Sequence, residues 1–227
     1  SIALCDPAGV VQVIVAMESK EDPAYPPARA FAESHPDRDI LVLETGPSGA
    51  RMGKAHNMIE ALPRAKHPLI VFSDSDVRTT PRLLAETSRA FADGYDAVFA
   101  LPWHQRGGGV GGVLLEAAMN HSFGLGAALA WRLVGFTHCA GAWMGYTREV
   151  LERSGGLEPI AQVIADDLTL SQRVARSGAR GRLIAVPALL RETGEGVGAT
   201  LRHLVKWAVI IRWSLPRVYL LLPLFNL

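Results

Sequence analysis

LIVFSDSD, residues 69–76, is a short β-branched and aromatic run that ends on two carboxylates one residue apart. A run of this kind, bounded by turn-forming residues, reads as a buried strand. Just beyond it Thr80-Pro81 opens a helix, with a hydroxyl to cap the first turn and a proline where its missing N–H costs nothing. Strand, acidic loop and helix make one βα unit. In an open α/β sheet, ligands gather beyond the carboxyl ends of the strands, which is where Asp74, Ser75 and Asp76 fall.

The same style repeats on both sides. Residues 10–17 (VVQVIVAM), 39–43 (DILVL) and 95–101 (YDAVFAL) are further strand candidates, and residues 29–35, 54–62 and 81–93 have helical patterns between them. Strands alternating with helices of this length predict a Rossmann-like α/β domain with a mixed, mostly parallel sheet flanked by helices. The second half is less regular. Residues 106–112 (RGGGVGG) form a flexible loop, read as a mobile lid or an acceptor-side loop, and residues 113–134 are apolar. Glu116, Asn120, His121 and Arg132 interrupt that stretch, so it reads as buried or interfacial rather than spanning. Short helices follow at 147–153 and 168–176, with a strand at 182–186 between the second and the C-terminal stretch.

Composition narrows the class. The 227 residues carry 23 Lys plus Arg against 22 Asp plus Glu, a net charge of +1 that argues against a nucleic-acid binder. With 49% hydrophobic and 20% charged residues the chain is not disordered. Two cysteines, Cys5 and Cys139, make neither a disulfide framework nor a CxxC zinc site. A mean hydropathy of +0.17 calls for a large core or a membrane contact. No signal peptide is legible at Ser1, and both ends read as cuts from a longer protein.

From residue 201 onward apolar residues dominate, with Arg202, His203, Lys206, Arg212 and Arg217 among Trp207, Trp213 and Tyr219. Cations and indoles among apolar side chains suit an amphipathic helix in a bilayer interface. Residues 218–227 are too short for the ~20 that span a hydrocarbon core and read as the start of a truncated spanning helix. The expected division is a catalytic domain over residues 1–200 and an interfacial helix with the start of a membrane segment over residues 201–227.

Three acidic sites are candidates for chemistry. Asp74 and Asp76 can turn toward one hard cation bridged to a substrate diphosphate; the plainer role of such residues is to support a turn. Asp166-Asp167 opens a helix, where the macrodipole already favours acids, but two adjacent carboxylates exceed what a cap needs, and one facing a cleft could act as general base. Asp22, before Pro23, reads by itself as a turn residue. Lys54 and Asn57 lie in a loop–helix segment after the second strand, where the lysine faces a phosphate, a base or solvent. His203, Lys206 and Trp207 bring cation and indole together, to grip a diphosphate or to snorkel at an interface. The glycine loop matches neither GxxxxGK[ST] nor a dinucleotide fingerprint. A metal-dependent nucleotidyltransferase and a non-catalytic nucleotide- or lipid-binding module therefore stand as alternatives to a transferase.

Taken in order, EDPA (21–24), KAHNM (54–58), SDSDVR (73–78), ALP (100–102), CAG (139–141), REVLERSGGL (148–157), IADDL (164–168) and HLVKW (203–207) resemble the ceramide glucosyltransferase family, glycosyltransferase family 21, with its bacterial lipid-glycosylating relatives. The resemblance implies a GT-A fold, a UDP-sugar donor, a divalent metal (Mn2+ or Mg2+) and a membrane lipid acceptor such as ceramide. It implies an inverting transfer of a hexose, glucose first, with the catalytic domain on the cytoplasmic face of the membrane. By position, Asp22 matches the first acidic residue, at the nucleotide. Asp74 with Asp76 matches the DxD of metal and diphosphate, and Asp167 matches the base. Lys54 and Asn57 match donor-side residues, and His203, Lys206 and Trp207 fall on a (Q/R)xxRW signature. There Lys206 replaces an arginine, keeping the charge but not the planar fork.

Overall fold

The computed structural model describes residues 2–6, 9–105, 108–136, 140–191 and 196–214. Residues 106–107 of the glycine loop, Cys139 and the expected membrane start at 218–227 lie outside them.

The strands are β1 (Val13–Met17), β2 (Ile40–Glu44), β3 (Leu69–Ser73), β4 (Val77–Arg78), β5 (Ala97–Ala100), β6 (Pro102–Gln105), β7 (Trp143–Thr147), β8 (Gly181–Leu183) and β9 (Ala188–Arg191). The α-helices are α1 (Tyr25–Glu33), α2 (Gly53–Ala61), α3 (Pro81–Ala92), α4 (Gly109–Ala117), α5 (Gly124–Val134), α6 (Arg148–Arg153), α7 (Asp166–Arg176) and α8 (Val197–Ser214). A π-helical segment, Ala118–Phe123, joins α4 to α5.

Local chemistry sets these boundaries where the sequence says it should. The Thr80 hydroxyl accepts the Leu83 N–H at 3.1 Å to start α3, and Thr147 accepts the Val150 N–H at 3.2 Å to start α6. Pro26 and Pro27 sit in the first turn of α1, which begins at Tyr25, upstream of the pattern at 29–35.

The sheets are mixed. Strands β1 and β2 pair in parallel, and a four-stranded sheet runs β3-β7-β5-β8. Within it β7 lies antiparallel to both β3 and β5, while β8 is parallel to β5. A small sheet, β4-β9-β6, has β9 antiparallel to β4 and parallel to β6. A reading from βαβ units alone would place β3 beside β5; β7 is inserted between them.

Side-chain alternation along β5 divides the core in two. Ala97 and Phe99 face a cluster with Tyr146, Leu151, Ile160 and Leu170 under α2, α6 and α7. Val98 and Ala100 face Leu83, Ala90 and Trp143 under α3. Trp143 is buried, and its indole N–H donates to the Thr87 hydroxyl at 3.0 Å. Gly145 matters for packing, because a Cβ there would lie 3.0 Å from the Phe91 ring and push α3 off the sheet. The sheet is thus covered on both faces, and its free carboxyl edge is left to chemistry.

Candidate functional site

The site grows from the carboxyl end of β3. The ladder to β7 continues one step past Ser73, where the Asp74 N–H donates to the Ala142 carbonyl at 3.1 Å, and a turn closes from the Val77 N–H to the Asp74 carbonyl at 3.2 Å. Asp76 is exposed in that turn. The ladder therefore sets Asp74 beside Gly141, the residue before Ala142.

Lys54 arrives from the first turn of α2, whose position is fixed by its own side chains. The buried His56 presents Nε2 to the Thr45 and Gly46 carbonyls at 3.2 and 3.1 Å, so Nε2 carries the proton and Nδ1 faces Arg51. Asn57 Oδ1 accepts the Thr45 hydroxyl at 2.7 Å. Arg51 pairs with Glu60 and Glu158, each at 3.0 Å, and the Met52 N–H donates to the Ala161 carbonyl at 2.7 Å. The loop before α2 is thereby tied to the segment that leads into α7.

The first turn of α7 supplies Asp166 and Asp167. Lys54 Nζ lies 2.6 Å from Asp74 Oδ1, 3.8 Å from Asp166 Oδ2 and 3.5 Å from the Gly141 carbonyl. Asp167 Oδ1 accepts the Leu168 N–H at 2.7 Å. Gly141 is the hub of this arrangement: a Cβ there would come within 3.0 Å of both Asp167 Oδ2 and Lys54 Nζ. Residues 54, 74, 141, 166 and 167, remote in sequence, thus converge on one spot.

The electrostatics follow from the burial and the charges. Burial pulls the Lys54 ammonium down, but the carboxylates of Asp166, Asp74 and Asp167 together outweigh it and hold its pKa above the ordinary lysine value. Burial first, and repulsion from Asp166 second, raise the Asp167 carboxyl above the ordinary aspartate value, against the N–H of Leu168, the charge of Lys54 and the backbone at Gly141. Asp166 Oδ2 is buried and makes no hydrogen bond.

Three carboxylates around one ammonium leave negative charge uncompensated, and the donor set is hard oxygen, the chemistry that suits Mg2+ or Mn2+ completed by water and phosphate oxygens. Among the described residues no group of three His, Cys, Asp or Glu side chains is assembled as a metal centre. Asp74, with Asp76 exposed in the same turn, offers hard oxygens that fit a divalent ion taking most of its ligands from elsewhere.

The other expected residues sit elsewhere. Asp22 is exposed and accepts the Ala24 N–H at 2.8 Å in the turn that opens α1. Asn57 braces α2, as above. His203 and Trp207 stack on α8 with ring centroids 5.7 Å apart, and Lys206 is exposed on the same helix. Helix α8 begins at Val197, ahead of the expected boundary, and docks on α4 through the Thr200 hydroxyl, which donates to the Gly111 carbonyl at 3.0 Å. Among the described residues no helix is long and apolar enough to cross a membrane.

Asp166 was nominated together with Asp167, but two participants, Gly141 and Glu18, were not singled out from the sequence; Gly141 appeared only as the last residue of CAG. Glu18 follows β1; its Oε2 accepts the Ser48 N–H at 3.1 Å, and its Oε1 lies 2.7 Å from where a Gly53 Cβ would be. An acid directly after the first strand was the available signal.

A mixed α/β sheet with an acidic cluster beyond its carboxyl edge is the arrangement of GT-A glycosyltransferases. Over 88% of its length the chain superposes on 52% of a mannosyltransferase from Pyrobaculum calidifontis solved with GDP-Man and Mn2+, with a TM-score of 0.58 and 23% identity. The chain belongs to glycosyl transferase family 21, whose family model matches residues 9–226. Among curated proteins it is similar to ceramide glucosyltransferases 1 and 3 of Caenorhabditis elegans, 22% identical to each over 219 and 215 residues. Those alignments cover 94% of this chain and 46% and 47% of the relatives, so the chain spans about half the length of the curated relatives it matches. By sequence the chain is a family 21 glycosyl transferase domain, and by fold it is of the GT-A type.

Proposed function

We propose that this protein transfers a hexose, glucose first, from a UDP-sugar to the hydroxyl of a membrane lipid such as ceramide, with inversion at the anomeric carbon. The observation that carries the reading is the convergence of Lys54, Asp74, Asp166 and Asp167 around Gly141, in a chain whose family relatives include ceramide glucosyltransferases.

In this mechanism Asp167 takes the proton of the acceptor hydroxyl as its oxygen bonds to the anomeric carbon, at a centre with oxocarbenium character like that of glycoside hydrolysis. The bond from that carbon to the phosphate oxygen breaks, and its electron pair leaves with UDP. Burial supports the base role, because a carboxylate with a raised pKa is a stronger base than an exposed one. Lys54 sits between Asp74 and Asp166, and in this reading it turns its ammonium to the diphosphate when the donor binds. A divalent ion, when bound, would be held by Asp74 and Asp76 and would neutralise charge on the departing diphosphate. Asp22 and Asn57 serve the donor side in this reading, and His203, Lys206 and Trp207 of α8 close over the diphosphate. The catalytic domain works at the cytoplasmic face, with α8 in the bilayer interface.

The test is transfer of labelled glucose from UDP-glucose to ceramide by the full-length protein with Mn2+, read by mass spectrometry of the lipid product. Formation of the β-glucoside supports the reading. UDP-sugar binding without product from ceramide or from a total lipid extract overturns it.

A further inference from the structure

Helices α4 and α5 are apolar on every side. Their sequences, GVGGVLLEA and GLGAALAWRLV, contain one acid and one base between them. A surface helix of a protein immersed in water normally turns a polar face outward. These helices do the reverse. Val110, Val113 and Leu114 are exposed on α4, and Leu125, Leu129 and Leu133 are exposed at four-residue spacing on α5, with Leu133 74% accessible. Helix α8 adds Leu201, Val205, Val209 and Trp213 at the same spacing, with Trp213 82% accessible. Soluble proteins rarely expose contiguous apolar surface on this scale without a partner.

The surface also has a recess. A groove of about 430 Å³ runs between α4, the π-helical segment and α8, with Leu114, Ala117, Leu201 and Leu204 among its walls. Its volume lies in the range of small-molecule sites, roughly 300–1,000 Å³. The Thr200 hydroxyl in its wall is already committed to Gly111.

Two observations choose the occupant. Helix α8 carries Arg202, Lys206 and Arg212 and no acidic residue, and all three cations are exposed beside the apolar stripe. The α4–α5 run is also held flat at its middle. Asn120, in the π-helical segment, accepts the His104 N–H at 2.9 Å and donates to the His104 carbonyl at 2.8 Å, so it joins β6 almost as another strand would. A helix tied to the sheet by its centre cannot cross a bilayer, but it can present its outer side to one.

We infer that α4, α5 and α8 form a docking face for an anionic phospholipid bilayer, with the α4–α8 groove receiving an acyl chain. The inference rests on the lipid-acceptor reading above and extends it from α8 to α4 and α5.

The test uses the full chain without sugar donor, in co-sedimentation with vesicles of phosphatidylcholine alone and with phosphatidylglycerol added. Expected are binding to the anionic vesicles, a loss of about fivefold for each of Arg202→Gln and Arg212→Gln, and a loss of at least about tenfold for Val113→Asp with Leu125→Asp. UDP affinity by calorimetry stays unchanged in every variant, which separates docking from the donor site and reports folding. On the unsubstituted chain, brominated lipids should quench tryptophan fluorescence, and Trp213→Phe should remove most of that quenching. Equal binding to neutral vesicles, no binding, or no quenching overturns the inference. A dimer in sedimentation velocity without vesicles, abolished by the same aspartates, overturns it in favour of a second copy on this face. Vesicle binding with no sugar transfer to any lipid would leave docking standing and defeat the proposed reaction alone.

Discussion

Gly141→Ala probes the centre of the site with one methyl group. The backbone at Gly141 is not in the left-handed region, so alanine adopts it without strain and the effect is purely one of space. The new Cβ would stand 3.0 Å from Asp167 Oδ2 and from Lys54 Nζ, and 3.2 Å from Asp167 Cβ, where ordinary contact begins at 3.4 Å. The lysine is the far end of a flexible chain and swings away. Asp167 has less freedom, because its Cβ is also struck and its Oδ1 is tied to the Leu168 N–H. It must retreat by about 0.2–0.4 Å. If a misplacement of ~1 Å costs ~10²-fold in rate, a shift of this size costs about three- to sixfold in kcat. UDP affinity should stay within about twofold, and stability within about 1 kcal/mol. Steady-state transfer kinetics, isothermal calorimetry with UDP and a thermal melt read the three quantities. An unchanged kcat would refute the placement of Asp167 at the reacting atoms. A kcat loss matched by lost UDP affinity would assign Gly141 to the donor instead.

Other outcomes follow from the same geometry. Asp76→Ala should weaken UDP binding in the presence of Mn2+ by at least about tenfold and leave metal-free binding unchanged; equal affinity with and without Mn2+ would reject the metal role. Asp167→Asn should raise thermal stability at neutral pH. The carboxyl has a folded pKa raised above 3.8, so its ionisation costs stability as pH climbs from that value through the folded pKa, and asparagine escapes the cost. Melts of the variant and the parent should converge near pH 3.8 and separate toward neutrality; a constant difference at all pH values would deny the shift. The same shift should move the acid limb of the transfer rate above the ordinary aspartate range, since the base must be ionised to act. Thr80→Ala should cost about 1 kcal/mol in chemical unfolding through the lost α3 cap, and no change would mean the helix is held by packing alone.

How much of this was legible in the sequence depends on range. Features written within a few residues were readable: the β-branched runs that became β1 and β3, the Thr80-Pro81 start of α3, and the acidic turn after β3. Strand β7 was not. Trp143–Thr147 reads WMGYT, too short and too broken by Gly145 for a period to show, and its place between β3 and β5 is decided by burial of Trp143 and Tyr146 on opposite faces. The break at Ala118–Phe123 was equally silent, because the fit of Asn120 to His104 depends on a strand distant in the chain. For the site, the sequence nominated Asp74 with Asp76, Asp166 with Asp167, and Lys54 separately, on local motifs and on the family resemblance. That Lys54 sits between Asp74 and Asp166 beside Gly141 required three loops to fold together. Asp22 shows what is readable locally: a turn residue before proline, it accepts the Ala24 N–H in that turn.

The central claim is that Asp167 removes the acceptor proton beside a donor held by Lys54, Asp74 and Asp76. Its most direct measurement compares Asp167→Asn with the parent, full-length, for glucose transfer to ceramide and for Mn2+-dependent UDP affinity. The account predicts transfer lowered by at least about 10²-fold, the scale of general-base contributions, with UDP affinity within about twofold. Transfer surviving at a comparable rate, or affinity lost in step with rate, would contradict it.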